Sequence, residues 1–180
     1  MPAIQRGKLM PIIVALIMAV LMIQNYFLVK KIGRQQDTIT ALTQSFDRLT
    51  QVKEGDTIGV FSALSEDSTL ILFDPGMGSR KTLMFVFTTW CNACKGNMGQ
   101  WNLLVGEADY GQIDVIGLTS DSLFKVKQYW KTVPMSFRVL SVANDFGIMK
   151  RHKLFTYPTT LLLDHTGVVR HMWRGALTDR

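Results

Sequence analysis

Apolar and polar positions divide this chain into two unlike parts. From Leu9 to Val29 the sequence is almost wholly apolar, interrupted only by Pro11, Gln24, Asn25 and Tyr26. At helical rise a run of that length covers about 30 Å, the hydrocarbon thickness of a bilayer. From Lys53 onward, short apolar runs alternate with amphipathic ones. Strand-like runs fall at 69–73, 82–88, 113–119, 138–142, 160–163 and 168–173, and helical periodicity fits 91–105, 123–133 and 144–152. Asp74-Pro-Gly-Met-Gly78 reads as a loop, and Asp164-His-Thr-Gly167 suits a hairpin turn. Alternating strands and helices predict a three-layer α/β fold on a mixed central sheet, with the last two strands antiparallel because so tight a turn joins them.

The pattern sets the expected organisation: a short flank at 1–8, a transmembrane anchor at 9–29, a polar tether at 30–52 and a folded domain at 53–180. A cleavable leader would show small residues after the apolar run, whereas Leu21-Met-Ile-Gln-Asn-Tyr-Phe27 is bulky, so the run reads as a retained anchor. Basic residues flank it on both sides, Arg6 and Lys8 before, Lys30, Lys31 and Arg34 after, and their balance does not orient it. The short N-terminus fits a signal anchor that carries the domain across the inner (cytoplasmic) membrane to the periplasmic, extracytoplasmic side. In the tether, Ile32, Ile39, Leu42, Phe46 and Leu49 follow heptad a/d steps, with Gln35 breaking one d position. Such a helix either pairs with a second stalk, making a dimer through 32–49, or lies on its own domain or the membrane. Three heptads are short for an independent coiled coil, which favours the second.

Charge narrows the partners. Of the net +6, residues 1–52 contribute +4, beside the membrane, and residues 53–180 only +2. That placement suits lipid headgroups, and the domain has no Lys/Arg block of the kind nucleic-acid binding needs.

The candidate chemistry lies in Phe87-Thr-Thr-Trp-Cys91-Asn-Ala-Cys94-Lys95, which holds both cysteines of the chain. A buried strand here delivers Cys91 to a helix N-terminus, where unpaired backbone N–H groups and the helix dipole favour a thiolate. Cys94, one turn on, is close enough to close or resolve a disulfide. A metal-handling pair and two plain core cysteines are the alternatives. Zinc calls for four suitably spaced Cys or His ligands, and no second CxxC or HxxxH is present, so no metal is expected.

Trp90-Cys91-Asn-Ala-Cys94-Lys95 at a strand–helix junction, followed by Tyr157-Pro158-Thr159 before an apolar strand and a Gly167 hairpin, resembles the thioredoxin fold. With the anchor and the Gly55-Asp56 opening, the chain is similar to membrane-anchored TlpA/ResA-type thiol–disulfide oxidoreductases and to MauD-type maturation proteins. The resemblance implies an exposed attacking Cys91, a resolving Cys94, a cis Pro158 facing them, and Tyr157 able to pair with an extended client. It implies a shielding role for Trp90 and leaves Lys95 as an electrostatic aid to Cys91. The redox-active disulfide itself would serve in place of a cofactor. Partners would be client protein disulfides or thiols, such as apocytochrome c or another metalloprotein in maturation, and a membrane electron donor.

Four departures accompany the resemblance. Phe85 stands where thioredoxins carry a buried Asp, and Asn97 where ResA-type relatives carry a Glu, so neither acidic proton relay is present. Glu107 and Asp109 are distant candidates for that role. Asn92-Ala93 between the cysteines makes the direction of electron flow a property to measure. A C-terminal helix usual in the family has no counterpart after Leu177, which predicts an apolar sheet face for a partner or the tether to cover. Two further readings stay open. One is a peroxiredoxin-like thiol peroxidase, suggested by Thr88 three residues before Cys91 but with Met84 in place of the proline those enzymes have. The other is a copper-binding assembly factor of Sco type using His152, His165 or His171, although that family spaces its cysteines CxxxC.

Overall fold

The structure, a computed structural model, describes residues 6–109 and 111–177, without the side chains of 6–10, 44, 45 and 47–49. Most of the expected 1–8 flank, the Leu49 side chain and residues 178–180 therefore lie outside the described residues. The chain divides into two units, 1–48 and 49–180.

The first unit is helix α1, Arg6–Thr50, which runs on to the start of the second and has Pro11 inside it. Anchor and tether are one uninterrupted helix, because nothing between Val29 and Ile32 breaks helical geometry. Its segment Pro11–Thr43 is long and apolar enough to cross a membrane, and its apolar side chains are exposed.

The second unit carries a seven-stranded sheet of order β2-β1-β5-β4-β3-β6-β7. Strands β1 (Phe61–Leu64) and β2 (Leu70–Phe73) form a hairpin on one edge. Strands β3 (Lys81–Phe87), β4 (Ile113–Thr119) and β5 (Arg138–Ser141) are parallel. Strands β6 (Thr159–Leu163) and β7 (Val169–Arg174) complete the sheet antiparallel. Strand β1, with its mixed Phe-Ser-Ala-Leu pattern, is the strand that periodicity did not reveal.

Period-two alternation in β3 builds both cores at once. Met84 and Val86 join Ile116, Leu118, Leu140 and Leu161 on one face, covered by helix α4 (Gly147–Arg151). Phe85 and Phe87 join Val139 on the other, under α2 (Asn92–Glu107) and α3 (Leu123–Trp130). The ring of Phe85 stacks on Trp101 at 4.9 Å and meets Phe137 edge-on at 4.9 Å. Trp101 donates its indole N–H to Thr160 Oγ1 at 2.8 Å. Gly117 makes room for this packing: a Cβ there would sit 2.7 Å from the Phe137 ring. Helix α3 stops short of the predicted Val133 because Pro134 disfavours helical geometry in the residue before it.

The expected open sheet face is not found among the described residues. Both faces of the central strands are buried, and Leu177, beyond β7, packs against the aromatic core. Exposed apolar side chains lie instead on the edge strand, at Leu70 and Leu72. The Gly55-Asp56 opening is tied to the far hairpin: Gly55 N–H bonds the Val169 carbonyl, Val169 N–H the Asp56 carbonyl, and Ile58 N–H the Gly167 carbonyl. Gly167 has φ +82° and lies so close to Ile58 O that a Cβ would clash.

Candidate functional site

Strand β3 ends in the middle of the sheet, and its last turn of chain, Thr88 to Trp90, delivers Cys91 as the N-cap of α2. The Cys91 sulfur accepts the N–H of Cys94 at 3.1 Å, and the Lys95 N–H bonds the Cys91 carbonyl at 3.2 Å. A sulfur so placed receives the helix's unpaired donors and the positive end of its dipole, which favours a thiolate when the bond is reduced. Cys91 and Cys94 are joined in a disulfide, with Cα atoms 5.2 Å apart. Cys91 is 9% exposed and Cys94 0%. The expected exposed cysteine is thus nearly enclosed, and it is the more exposed residue of the pair.

Strand β6 brings the second half of the site. It pairs antiparallel with β3, Thr159 opposite Val86, so the residue before it arrives at the end of β3. That residue is Pro158, buried, and the Tyr157–Pro158 peptide is cis. The Tyr157 ring meets Trp90 edge-on at 6.0 Å. Trp90 is itself 69% exposed. Burial pushes the Tyr157 phenol above its ordinary range; a bond to Ser120 opposes that shift and the charge of Asp121 adds to it.

Asp121 is the residue that sequence reasoning missed. It follows β4 at the same sheet edge, is buried, and its carboxylate accepts the N–H of Thr89 at 2.5 Å, two residues ahead of Cys91. Its own N–H donates to Thr119 Oγ1 and its carbonyl accepts from the Ser141 hydroxyl at 2.6 Å. It is a carboxylate built into the support of the cysteine loop. The proposed acids are elsewhere: Glu107 ends α2, about 20 Å along the helix from Cys94, and Asp109 caps a turn by accepting the Gly111 N–H. The Lys95 side chain is exposed.

Phe85 and Asn97, the two departures, have structural work. Phe85 is part of the aromatic stack. Asn97 is buried, donates to Gly175 O at 3.1 Å and accepts from Leu177 N–H at 2.8 Å, pinning the chain after β7 against α2. Thr88 is buried, and its hydroxyl has no hydrogen-bond partner among the described residues. The histidines are dispersed. His152 is half-buried beside Phe61, His165 lies exposed in the β6–β7 turn, and His171 on β7 is 3.7 Å from Glu54. Among the described residues no three His, Cys, Asp or Glu side chains cluster as a metal site requires.

A disulfide closed across three positions at a helix N-terminus on this sheet defines a thioredoxin-like fold. Residues 55–172 match the AhpC/TSA family, and the chain belongs to it. The thioredoxin-like protein YneN of Bacillus subtilis (strain 168) is 29% identical over 104 residues, 56% of this chain and 60% of that protein's length. The fold is shared with the crystal structure of StoA from Bacillus subtilis, at a TM-score of 0.56 and 20% identity over 67% of this chain and 91% of that one. It is shared also with peroxidoxin BcpB from Mycobacterium tuberculosis, at 0.56 and 15% over 69% and 86%.

Proposed function

We propose that this chain is a membrane-tethered reductase of disulfides in extracytoplasmic client proteins, with Cys91 attacking and Cys94 resolving. The observation that carries it is the unequal exposure of the two cysteines at the start of α2, 9% for Cys91 and 0% for Cys94. In the reduced protein the Cys91 thiolate attacks a client disulfide, forming a mixed disulfide and releasing one client thiolate, which takes up a proton. The Cys94 thiol then loses its proton and attacks the Cys91 sulfur, releasing the second client thiol and restoring the Cys91–Cys94 disulfide. The client gains two electrons and two protons. A dithiol donor in the membrane returns the pair to the reduced state, as a reductase in an oxidising compartment requires. Tyr157 and Pro158 border the reachable sulfur and would guide the client segment, with Trp90 beside them. Helix α1 supplies the anchor.

Trapping tests the roles. The reduced full-length Cys94→Ser chain is expected to accumulate mixed disulfides with client proteins through Cys91, and Cys91→Ser to trap none. Equal trapping by both variants, or by neither, would sink the assignment. The reduction potential of the pair tests direction: near or below about −230 mV it works as a reductase, above about −150 mV as an oxidant or isomerase.

A second reading rests on Thr88, whose buried hydroxyl, without a hydrogen-bond partner among the described residues, stands three residues before Cys91 in a chain of the AhpC/TSA family. There the Cys91 thiolate would attack a peroxide, be oxidised to a sulfenic acid, and condense with Cys94 to the disulfide and water. Consumption of hydrogen peroxide in the presence of a dithiol, lost in Thr88→Val while disulfide exchange survives, would favour it over the first.

A further inference from the structure

We propose that α1 pairs in parallel with α1 of a second copy of this chain, along a seam that continues from the stalk into the membrane-spanning portion. Because α1 is unbroken from Arg6 to Thr50, the register of the stalk carries back into the apolar run. Ile32, Ile39, Leu42 and Phe46 are 53–65% exposed, and the same alternating steps of three and four lead back from Ile32 to Leu28 and Asn25.

Three features choose a second copy over the alternatives. The first is the width of the stripe. A helix lying on a domain or a lipid surface shows an apolar face of about 100° or more, whereas a strict a/d stripe is the seam of a coiled coil. Between Lys30 and Phe46 the large apolar residues are those four a/d positions alone, with Gln35 on the remaining d position. The second is Asn25, on an a position. A single Asn there sets register and strand number in a dimer, and within a bilayer an amide can bridge two helices by an interhelical hydrogen bond. Asn25 gives one N–H to the Leu21 carbonyl at 3.1 Å, and an amide carries a second N–H and an accepting oxygen with which to meet its copy.

The third is charge. Lys30, Arg34 and Asp37 occupy c and f positions, away from the seam. Beside it stand Gln36, Thr38 and Thr43, and across it Lys31 faces Gln36 of the partner subunit, so a second copy meets no like charge. The Thr38 and Thr43 hydroxyls already donate to the Arg34 and Ile39 carbonyls, at 3.0 and 2.8 Å, and bring no unmet polar group to the contact. The parallel orientation rests on the membrane-anchored reading, since two copies inserted alike point the same way. So does the part of the seam at Asn25 and Leu28, while the stalk positions Ile32 to Phe46 pair whether or not the helix spans a membrane.

The test uses the full-length chain in lipid vesicles, with Cys91→Ser and Cys94→Ser so that an introduced thiol is alone. Under mild oxidation, Ile39→Cys should give a disulfide-linked species at twice the 20.3 kDa chain mass, at least tenfold above Asp37→Cys on the outer face. Sedimentation of the unmodified chain in detergent should give two copies, and Ile39→Glu with Leu42→Glu should give one. Equal linking at both positions, or a single copy for the parent, overturns the proposal. Either result leaves the redox assignment untouched, because trapping of clients is read separately.

Discussion

Asp121 supports the disulfide loop from another strand, its carboxylate holding the Thr89 N–H while its own backbone is tied to Thr119 and Ser141. A negative charge so near the start of α2 opposes a thiolate on Cys91, and it adds to the upward shift of the Tyr157 phenol. Asp121→Asn keeps the shape and removes the charge. The pH profile of Cys91 alkylation is expected to move to lower pH, and the Tyr157 phenol to ionise at lower pH by absorbance, with the fold intact. A purely structural role would move neither profile. Asp164 shows the opposite balance. The Thr166 hydroxyl first, then the Thr166 N–H, the Arg170 guanidinium and the Val168 N–H, hold its carboxyl far below the usual range against the cost of burial. A depressed folded value means that this stabilisation is complete above about pH 4, the ordinary carboxylate value, and is lost as pH falls through the folded one. Asp164→Asn should therefore lower the urea midpoint at neutral pH and flatten its decline on acidification.

At the scale of elements, α2 does two jobs from its two faces: it presents Cys91 at its start and grips the chain beyond β7 through Asn97. Asn97→Ala leaves the Gly175 carbonyl and the Leu177 N–H without that amide, a loss of about 1–3 kcal/mol. Hydrogen exchange should show it as faster exchange at Leu177, with the β3 amides still protected. This contact also explains what the sequence concealed. The cysteine loop was readable because strand, turn and helix start are local, and Pro158 through the family resemblance that its place before an apolar run helps to carry. Asn97 and its partners lie 78 and 80 positions apart, and Asp121 and Thr89 lie 32 apart, so no local pattern couples them. Asn97 and Phe85 therefore read only as missing acids, when one is a clamp and the other half of an aromatic stack. Strand β1 stayed hidden because four residues with Ser62 and Ala63 among them carry little periodicity, and its place is set by pairing with β2 and β5.

For the whole molecule, the membrane-anchored reading makes a direct demand on α1. In membranes from expressing cells the full chain should stay in the pellet after alkaline carbonate extraction. Leu16→Asp with Val20→Asp places two carboxylates in the span, at about 2.5–3.5 kcal/mol each near the bilayer centre, and should move the chain to the supernatant. Retention of that variant in the pellet would argue that something other than the apolar run holds the protein there.

Cys94 is sealed within the aromatic core, so the disulfide has a single open terminal. On the reductase reading, client and electron donor would both enter at Cys91, and neither could occupy it while the other is attached. Turnover on such a pair would be ping-pong: each half-reaction finishes and its partner departs before the next begins. Donor and client would then compete for one surface, and the electron balance between them would depend on which is the more abundant and the quicker to leave.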